Sequence, residues 1–195
     1  KSGLFLVNGL GITTLLLAGD ASPIGGSTYG KLLDTPRINA AGDVAFRATT
    51  VGTTRADGIF VRDGGSGTVT VVERKGDAAP VVGGSYGSNQ SFRFADSGNV
   101  LLNAKLRASS ARFGIFDIGL TAAPALVSTS APPTDGFGAG SNYTRFSKVN
   151  GASSDGYRIG VQVRVRDSAL PAAKAGVVRC AGSASGAFLD EEVFF

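Results

Sequence analysis

The sequence predicts an all-β protein made of tandem four-stranded antiparallel repeats of about 55 residues. Three observations lead there. Short signatures recur in the same order at one period. The segments between them are short, β-branched and alternating, and they are separated by Gly, Asn, Asp and Ser turns. No stretch of ten or more residues combines a 3.6-residue apolar period with helix-forming residues.

The first signature is Gly3-Leu4-Phe5-Leu6, repeated as Gly58-Ile59-Phe60-Val61, Gly114-Ile115-Phe116-Asp117 and, more weakly, Gly176-Val177-Val178-Arg179. The intervals are 55, 56 and 62 residues. It is read as the first strand of each repeat. Thr68-Val69-Thr70-Val71-Val72-Glu73, after the turn Asp63-Gly64-Gly65-Ser66-Gly67, is read as the second.

Leu17-Ala18-Gly19-Asp20-Ala21-Ser22-Pro23 is matched by Arg74-Lys75-Gly76-Asp77-Ala78-Ala79-Pro80, and Thr129-Ser130-Ala131-Pro132-Pro133 is a degraded third copy. The first two copies run on into Gly-Gly-Ser. The third strand ends at Ile38, or at Phe92-Arg93-Phe94. A turn follows, Asn39-Ala40-Ala41-Gly42 or Ala95-Asp96-Ser97-Gly98. Asn and Asp bond nearby backbone in turns, and Gly accepts the positive φ that closes a hairpin. The fourth strand, Asp43-Val44-Ala45-Phe46-Arg47-Ala48, alternates with period two. The third copy of this last signature, near Val149-Asn150 and Asp155-Gly156, carries an insertion.

The repeats run approximately over 3–57, 58–113 and 114–175, with a half repeat over 176–195, in a single repeat domain. Four-stranded repeats of this size are characteristic of β-propeller blades. Three and a half blades do not close a ring. The expected outcomes are a piece of a longer propeller, two copies completing one ring, or an open twisted array. Open sheet edges favour self-association or pairing with other chains. The first residue is Lys1 rather than Met, which suits a processed product or an excised fragment.

Composition narrows the chemistry. The chain has no His, so Ser-His-Asp and Cys-His catalysis, His-ligated metals and imidazole switching are excluded. Its single Cys180 allows no internal disulfide and no Cys-based zinc site, and reads as a small buried or partly buried thiol, with pairing to a second chain as the alternative. The net charge is +4, but Lys and Arg are dispersed. Arg158, Arg164 and Arg166 read as a solvated strand face, and no nucleic-acid partner is expected. The apolar run Leu15-Leu16-Leu17-Ala18 is far short of the ~20 residues of a membrane span. No cofactor and no metal are expected. Asp57 and Asp63 could hold calcium only with ligands from elsewhere, since no Asp-x-Asp-x-Asp loop exists.

Gly19-Asp20, Gly76-Asp77, Asn39, Gly42 and Gly98 are read as structural turn residues, because recurrence in each repeat is what architecture needs. Tyr29, Tyr86 and Tyr143 fall at equivalent positions beside Gly-Gly-Ser or Gly-Ser-Asn. They are the candidate ligand-binding residues if exposed in loops, and core residues if packed beneath them. Asn89-Gln90-Ser91 and Asn142-Tyr143-Thr144 have the form of glycosylation sequons. Paired carboxylates could hydrolyse glycosides without His, but Glu191 and Glu192, adjacent on a strand, would point to opposite faces.

Asn39-x-x-Gly42-x-x-Ala45-Phe46 resembles the NxxGxxAF tandem repeat of bacterial secreted and surface proteins. The similarity covers most of residues 3–107, including the Gly-Asp and Gly-Ile-Phe elements. The second copy keeps Gly98 but has Ala95, Leu101 and Leu102 at the other defining positions. The resemblance implies an extracellular or cell-surface, repeat-built protein and supplies no reaction. The expected function is a non-catalytic structural or binding repeat protein, a subunit of a surface assembly. The alternatives are a carbohydrate-binding, adhesin-like propeller using the tyrosines, and a carboxylate-dependent carbohydrate-active enzyme.

Overall fold

The computed structural model describes residues 2–80, 83–119, 124–127, 142–152, 158–166, 174–182 and 188–194. Every regular element among them is a β-strand, and every sheet is antiparallel. The chain divides into two compact units, Lys1–Lys75 and Gly76–Phe195.

The first unit opens with a hairpin, β1 (Gly3–Asn8) and β2 (Gly11–Leu17). A four-stranded meander follows: β3 (Ser27–Ile38), β4 (Val44–Gly52), β5 (Asp57–Arg62) and β6 (Val69–Arg74), in the order β3-β4-β5-β6. The Ala-Phe alternation of β4 sets its register, with Phe46 opposite Phe60 and Ala48 opposite Gly58. One face of this sheet packs on the hairpin. Leu4 and Leu16 of the hairpin join Ile24, Tyr29, Val44, Phe46, Ala48 and Phe60 in one buried cluster. The Phe46 and Phe60 rings stack at 5.6 Å, across neighbouring strands. Such pairs contribute about 0.5–1.5 kcal/mol beyond the area they bury.

The second unit holds two further four-stranded meanders. One is β7 (Ser85–Phe94), β8 (Val100–Arg107), β9 (Phe113–Ile118) and β10 (Pro124–Val127). The other is β11 (Asn142–Ala152), β12 (Arg158–Arg166), β13 (Lys174–Gly182) and β14 (Phe188–Phe194). β8 is buried on both faces at Val100–Ala104, which explains its almost unbroken apolar run. The buried Asn103 amide donates to the Phe146 carbonyl at 3.1 Å and ties the two sheets together.

The sheets are offset from the sequence repeats by one strand pair. Gly58-Ile59-Phe60 is the third strand of its sheet, not the first, and Gly114-Ile115-Phe116 likewise. The reason is local. A short connection, Thr53–Ala56, turns β4 straight back onto β5, so the Gly-Ile-Phe strand is zipped to the strands before it. By the same correspondence β1 and β2 match a third and a fourth strand. Val177 and Val178 pair in β13 with β12 and β14, within a full sheet.

Candidate functional site

The Gly-Asp signature works through its backbone. Gly19 N–H donates to the Tyr29 carbonyl at 2.8 Å, and Tyr29 N–H donates to the Asp20 carbonyl at 2.9 Å. Gly76, Tyr86 and Asp77 repeat this clasp at 2.8 and 2.9 Å. Gly19 and Gly76 sit at φ +103° and +100°, which L side chains rarely adopt. The Asp20 carboxylate turns back to accept the Leu17 N–H at 2.8 Å. Gly19, Asp20, Gly76 and Asp77 therefore clasp the first strands β3 and β7 at their tyrosines.

The tyrosines lie within strands, not in loops. Tyr29, Tyr86 and Tyr143 are only 2%, 5% and 1% exposed. Thr28 and Ser85 form equivalent bridges to Ala21 and Ala78, and Tyr29 and Tyr86 follow them directly on the inward side of the pleat. Tyr29 meets Phe46 and Phe60, Tyr86 meets Phe116, and Tyr143 meets Phe146. Burial pushes the Tyr29 phenol up, and the nearby Asp20 charge adds to the rise. These rings present no face to a ligand, and the picture of binding tyrosines in exposed loops gives way to one of core aromatics.

The Asn39 turn is a three-residue hairpin loop with glycine at its left-handed position. Gly42 N–H donates to the Asn39 carbonyl at 3.1 Å, and Gly42 has φ +86°. The Asn39 side chain accepts from Asp43 N–H at 2.8 Å and donates to the Asp43 carboxylate at 3.0 Å. Gly98 has the same φ of +86° and donates to the Ala95 carbonyl at 3.0 Å. The loss of Asn at position 95 thus leaves the backbone turn intact.

Arg47 is the best-anchored charge of the first unit. Its guanidinium donates to both Asp57 oxygens, at 2.8 and 2.6 Å, and to Asp34 at 2.9 Å. Asp57 is thereby committed to an ion pair. Asp63 accepts from the Ser66 N–H and hydroxyl, which hold its carboxyl below the usual range. Among the described residues no three of His, Cys, Asp and Glu group as metal ligands. No helix there is long and apolar enough to cross a membrane.

Two features escaped the sequence reading. A shallow hollow of ≈ 410 Å³ is lined by Asp43, Val61, Asp63, Ser66, Thr68 and Thr70. Its hydroxyls come from the β5–β6 turn and the start of β6, and its carboxylates from Asp63 of that turn and Asp43 of the β3–β4 turn. The second is Asp117 in β9, buried with no well-formed hydrogen bond to either carboxylate oxygen. Burial pushes its carboxyl up to about 6, and the neighbouring Asn99 works against that rise. The available signal was the acid at the fourth place of the first signature, where Leu6 and Val61 stand in other copies.

Arg164 and Arg166 are exposed on β12, as expected of a solvated face, and Asn142 is half-buried at the start of β11. The side chains of Asn89, Arg158, Cys180, Glu191 and Glu192, and the segments Thr129–Pro133 and Asp155-Gly156, lie outside the described residues.

No curated protein and no solved structure matches the chain. A family model matches residues 1–161, so the chain belongs to DUF7453, a family of unknown function.

Proposed function

We propose that this chain is a non-catalytic structural or binding protein of the cell exterior, built from tandem, propeller-like four-stranded repeats. One observation carries the reading: the Gly-Asp clasp on Tyr29 recurs on Tyr86. The residues that repeat most faithfully are spent on holding strands and filling cores. Four acids of the first unit follow the same rule, since Asp20, Asp43, Asp57 and Asp63 each hold a turn or an ion pair. The resemblance to the NxxGxxAF repeats supports the extracellular setting, and the sheet edges that no described strand pairs support assembly with other chains.

The hollow beside Ser66, Thr68 and Thr70 favours a second reading, glycan binding, because clustered hydroxyls and carboxylates suit sugar hydroxyls. Light scattering with negative-stain imaging, followed by a glycan array, tests both. Discrete or extended assemblies without glycan signal fit the structural reading. Saturable glycan binding that Thr68→Ala and Thr70→Ala remove transfers the function to the hollow. Turnover of any glycoside that an Asp→Asn variant abolishes overturns the non-catalytic reading.

A further inference from the structure

The three meanders share one register at their buried tyrosines. Tyr29, Tyr86 and Tyr143 lie opposite Thr50, Leu106 and Val165 of the second strands. The residues on either side of those partners point to the other face of the sheet. They are Thr49 and Val51 in the first meander, Lys105 and Arg107 in the second, and Arg164 and Arg166 in the third. Val51 is 47% exposed, and all four basic residues are exposed. Thr49 and Val51 show that the fold accepts neutral side chains at this register, so the strands do not require the charge.

A packed neighbour leaves this register open. On the same face of β8, Leu101 and Asn103 are fully buried, and the Asn103 amide reaches the Phe146 carbonyl of the third meander. Further along that face, Lys105 and Arg107 stay exposed beside the same neighbour. β11 adds a third arginine next to Arg164 and Arg166. Its ladder shifts by a residue after Tyr143, so Thr144 is left out and Arg145 lies directly opposite Arg164. Without this bulge Thr144 would oppose Arg164, and Arg145 would face inward opposite Val163. The Thr144 hydroxyl donates to the Arg164 carbonyl at 3.1 Å and holds the bulge.

Like charges directly opposite each other destabilise a sheet. Among the described residues no acid shares this face, and Lys105, Arg107, Arg145, Arg164 and Arg166 form no ion pair. Asn142, opposite Arg166, and the exposed Gln162 add neutral hydrogen-bonding groups. None of these residues is aromatic or aliphatic. We infer that this end of the second unit binds an acidic polysaccharide, whose sugars carry carboxylate or sulfate groups. Guanidinium forks take such groups two-pronged, and Asn142 and Gln162 suit the hydroxyls between them. A single-stranded nucleic acid needs rings on which its bases stack, and an anionic membrane needs apolar side chains to insert. This surface offers neither. The site rests on the binding-module reading above and gives it a ligand.

The test is fluorescence anisotropy of the full chain with labelled polygalacturonate and labelled dextran sulfate, and with neutral dextran and a DNA duplex for comparison. At least one acidic polymer should bind saturably, weaken as salt rises, and bind more tightly than dextran or duplex. Which of the two binds better tells carboxylate from sulfate. Arg145→Ser with Arg164→Ser should weaken binding about tenfold or more, and Lys105→Ser with Arg107→Ser should weaken it as well. Arg145→Lys with Arg164→Lys keeps the charge, loses the fork and should recover only part of the affinity. Arg55→Ser with Lys75→Ser removes the same charge from exposed positions of the first unit and should change binding less than about twofold. All of these are surface changes, so the thermal midpoint should hold.

Absence of saturable binding to both acidic polymers overturns the proposal. So does an equal loss in the Arg55 and Lys75 variant, which would make the attraction one of overall charge. Binding of the duplex as tightly as of the acidic polymers assigns the surface to nucleic acid and overturns the polysaccharide. Light scattering of the same samples separates these failures from that of the broader reading. Assemblies, or neutral glycan held in the hollow of the first unit, leave that reading standing without the arginine site. A monomer that binds no glycan of any kind overturns both.

Discussion

The ring of Tyr29 meets the ring of Phe60 edge-on, at 5.2 Å and 79°. Tyr86 and Phe116 repeat the contact at 5.0 Å and the same 79°. In these two sheets an aromatic of the first strand thus reaches one of the third, across the second. Phe60→Ala should cost about 3–5 kcal/mol, because it leaves a cavity in a closed cluster. Tyr29→Phe keeps the ring contact and removes a buried hydroxyl that has no hydrogen-bond partner, so it should stay within about 1 kcal/mol of wild type. Urea denaturation of both variants checks the contrast.

Gly19 and Gly42 have open space where a Cβ would point, and both have positive φ. Gly19→Ala and Gly42→Ala should therefore cost only backbone strain, about 1–2 kcal/mol each. Since the turns are distant in sequence and share no partner shown by their backbone bonds, the double variant should be nearly additive. A non-additive result in equilibrium unfolding would mean that the two turns are coupled.

Arg47 binds Asp57 through two nitrogens and Asp34 through one, and its own side chain is 15% exposed. Arg47→Ala should destabilise by about 1–3 kcal/mol. Arg47→Lys should recover less than half of that, since an ammonium cannot reproduce the two-pronged contact. Asp34→Ala should cost under about 1 kcal/mol, because that carboxylate is half-exposed. Thermal melts of the three variants order these effects.

Asp117 supplies a pH dependence. Its folded carboxyl titrates at about 6, against 3.8 for the ordinary group. The native state therefore holds this proton more tightly than the unfolded chain does. Ionising it costs stability above pH 6, and that cost fades as pH falls toward 4. Asp117→Asn should stabilise the protein by about 2–3 kcal/mol at pH 8 and by little at pH 4. Equal effects at both pH values, by denaturant titration, would show that the carboxyl does not titrate in that window.

Much of the strand inventory was legible in the sequence because strand alternation and turn chemistry are local. β4 and β8 follow from their apolar pattern, and the Gly42 and Gly98 turns follow from the need for positive φ. The burial of the tyrosines was not legible. A tyrosine beside Gly-Gly-Ser has the same neighbours in sequence whether it caps a loop or enters a strand facing inward. Asp117 was also hidden, since its environment is set by Asn99 and by the sheet packed over β9, and not by its own neighbours in the chain.

The sequence by itself determined that the protein is all-β, where its turns fall, and that imidazole chemistry and an internal disulfide are absent. Those properties depend on residue type and on contacts a few positions apart. Tertiary structure decided that the Gly-Ile-Phe strands come third in their sheets and that Tyr29 belongs to the core. These depend on which strands zip together. That choice is made by short connections such as Thr53–Ala56 and by burial between distant residues, neither of which a repeat pattern records.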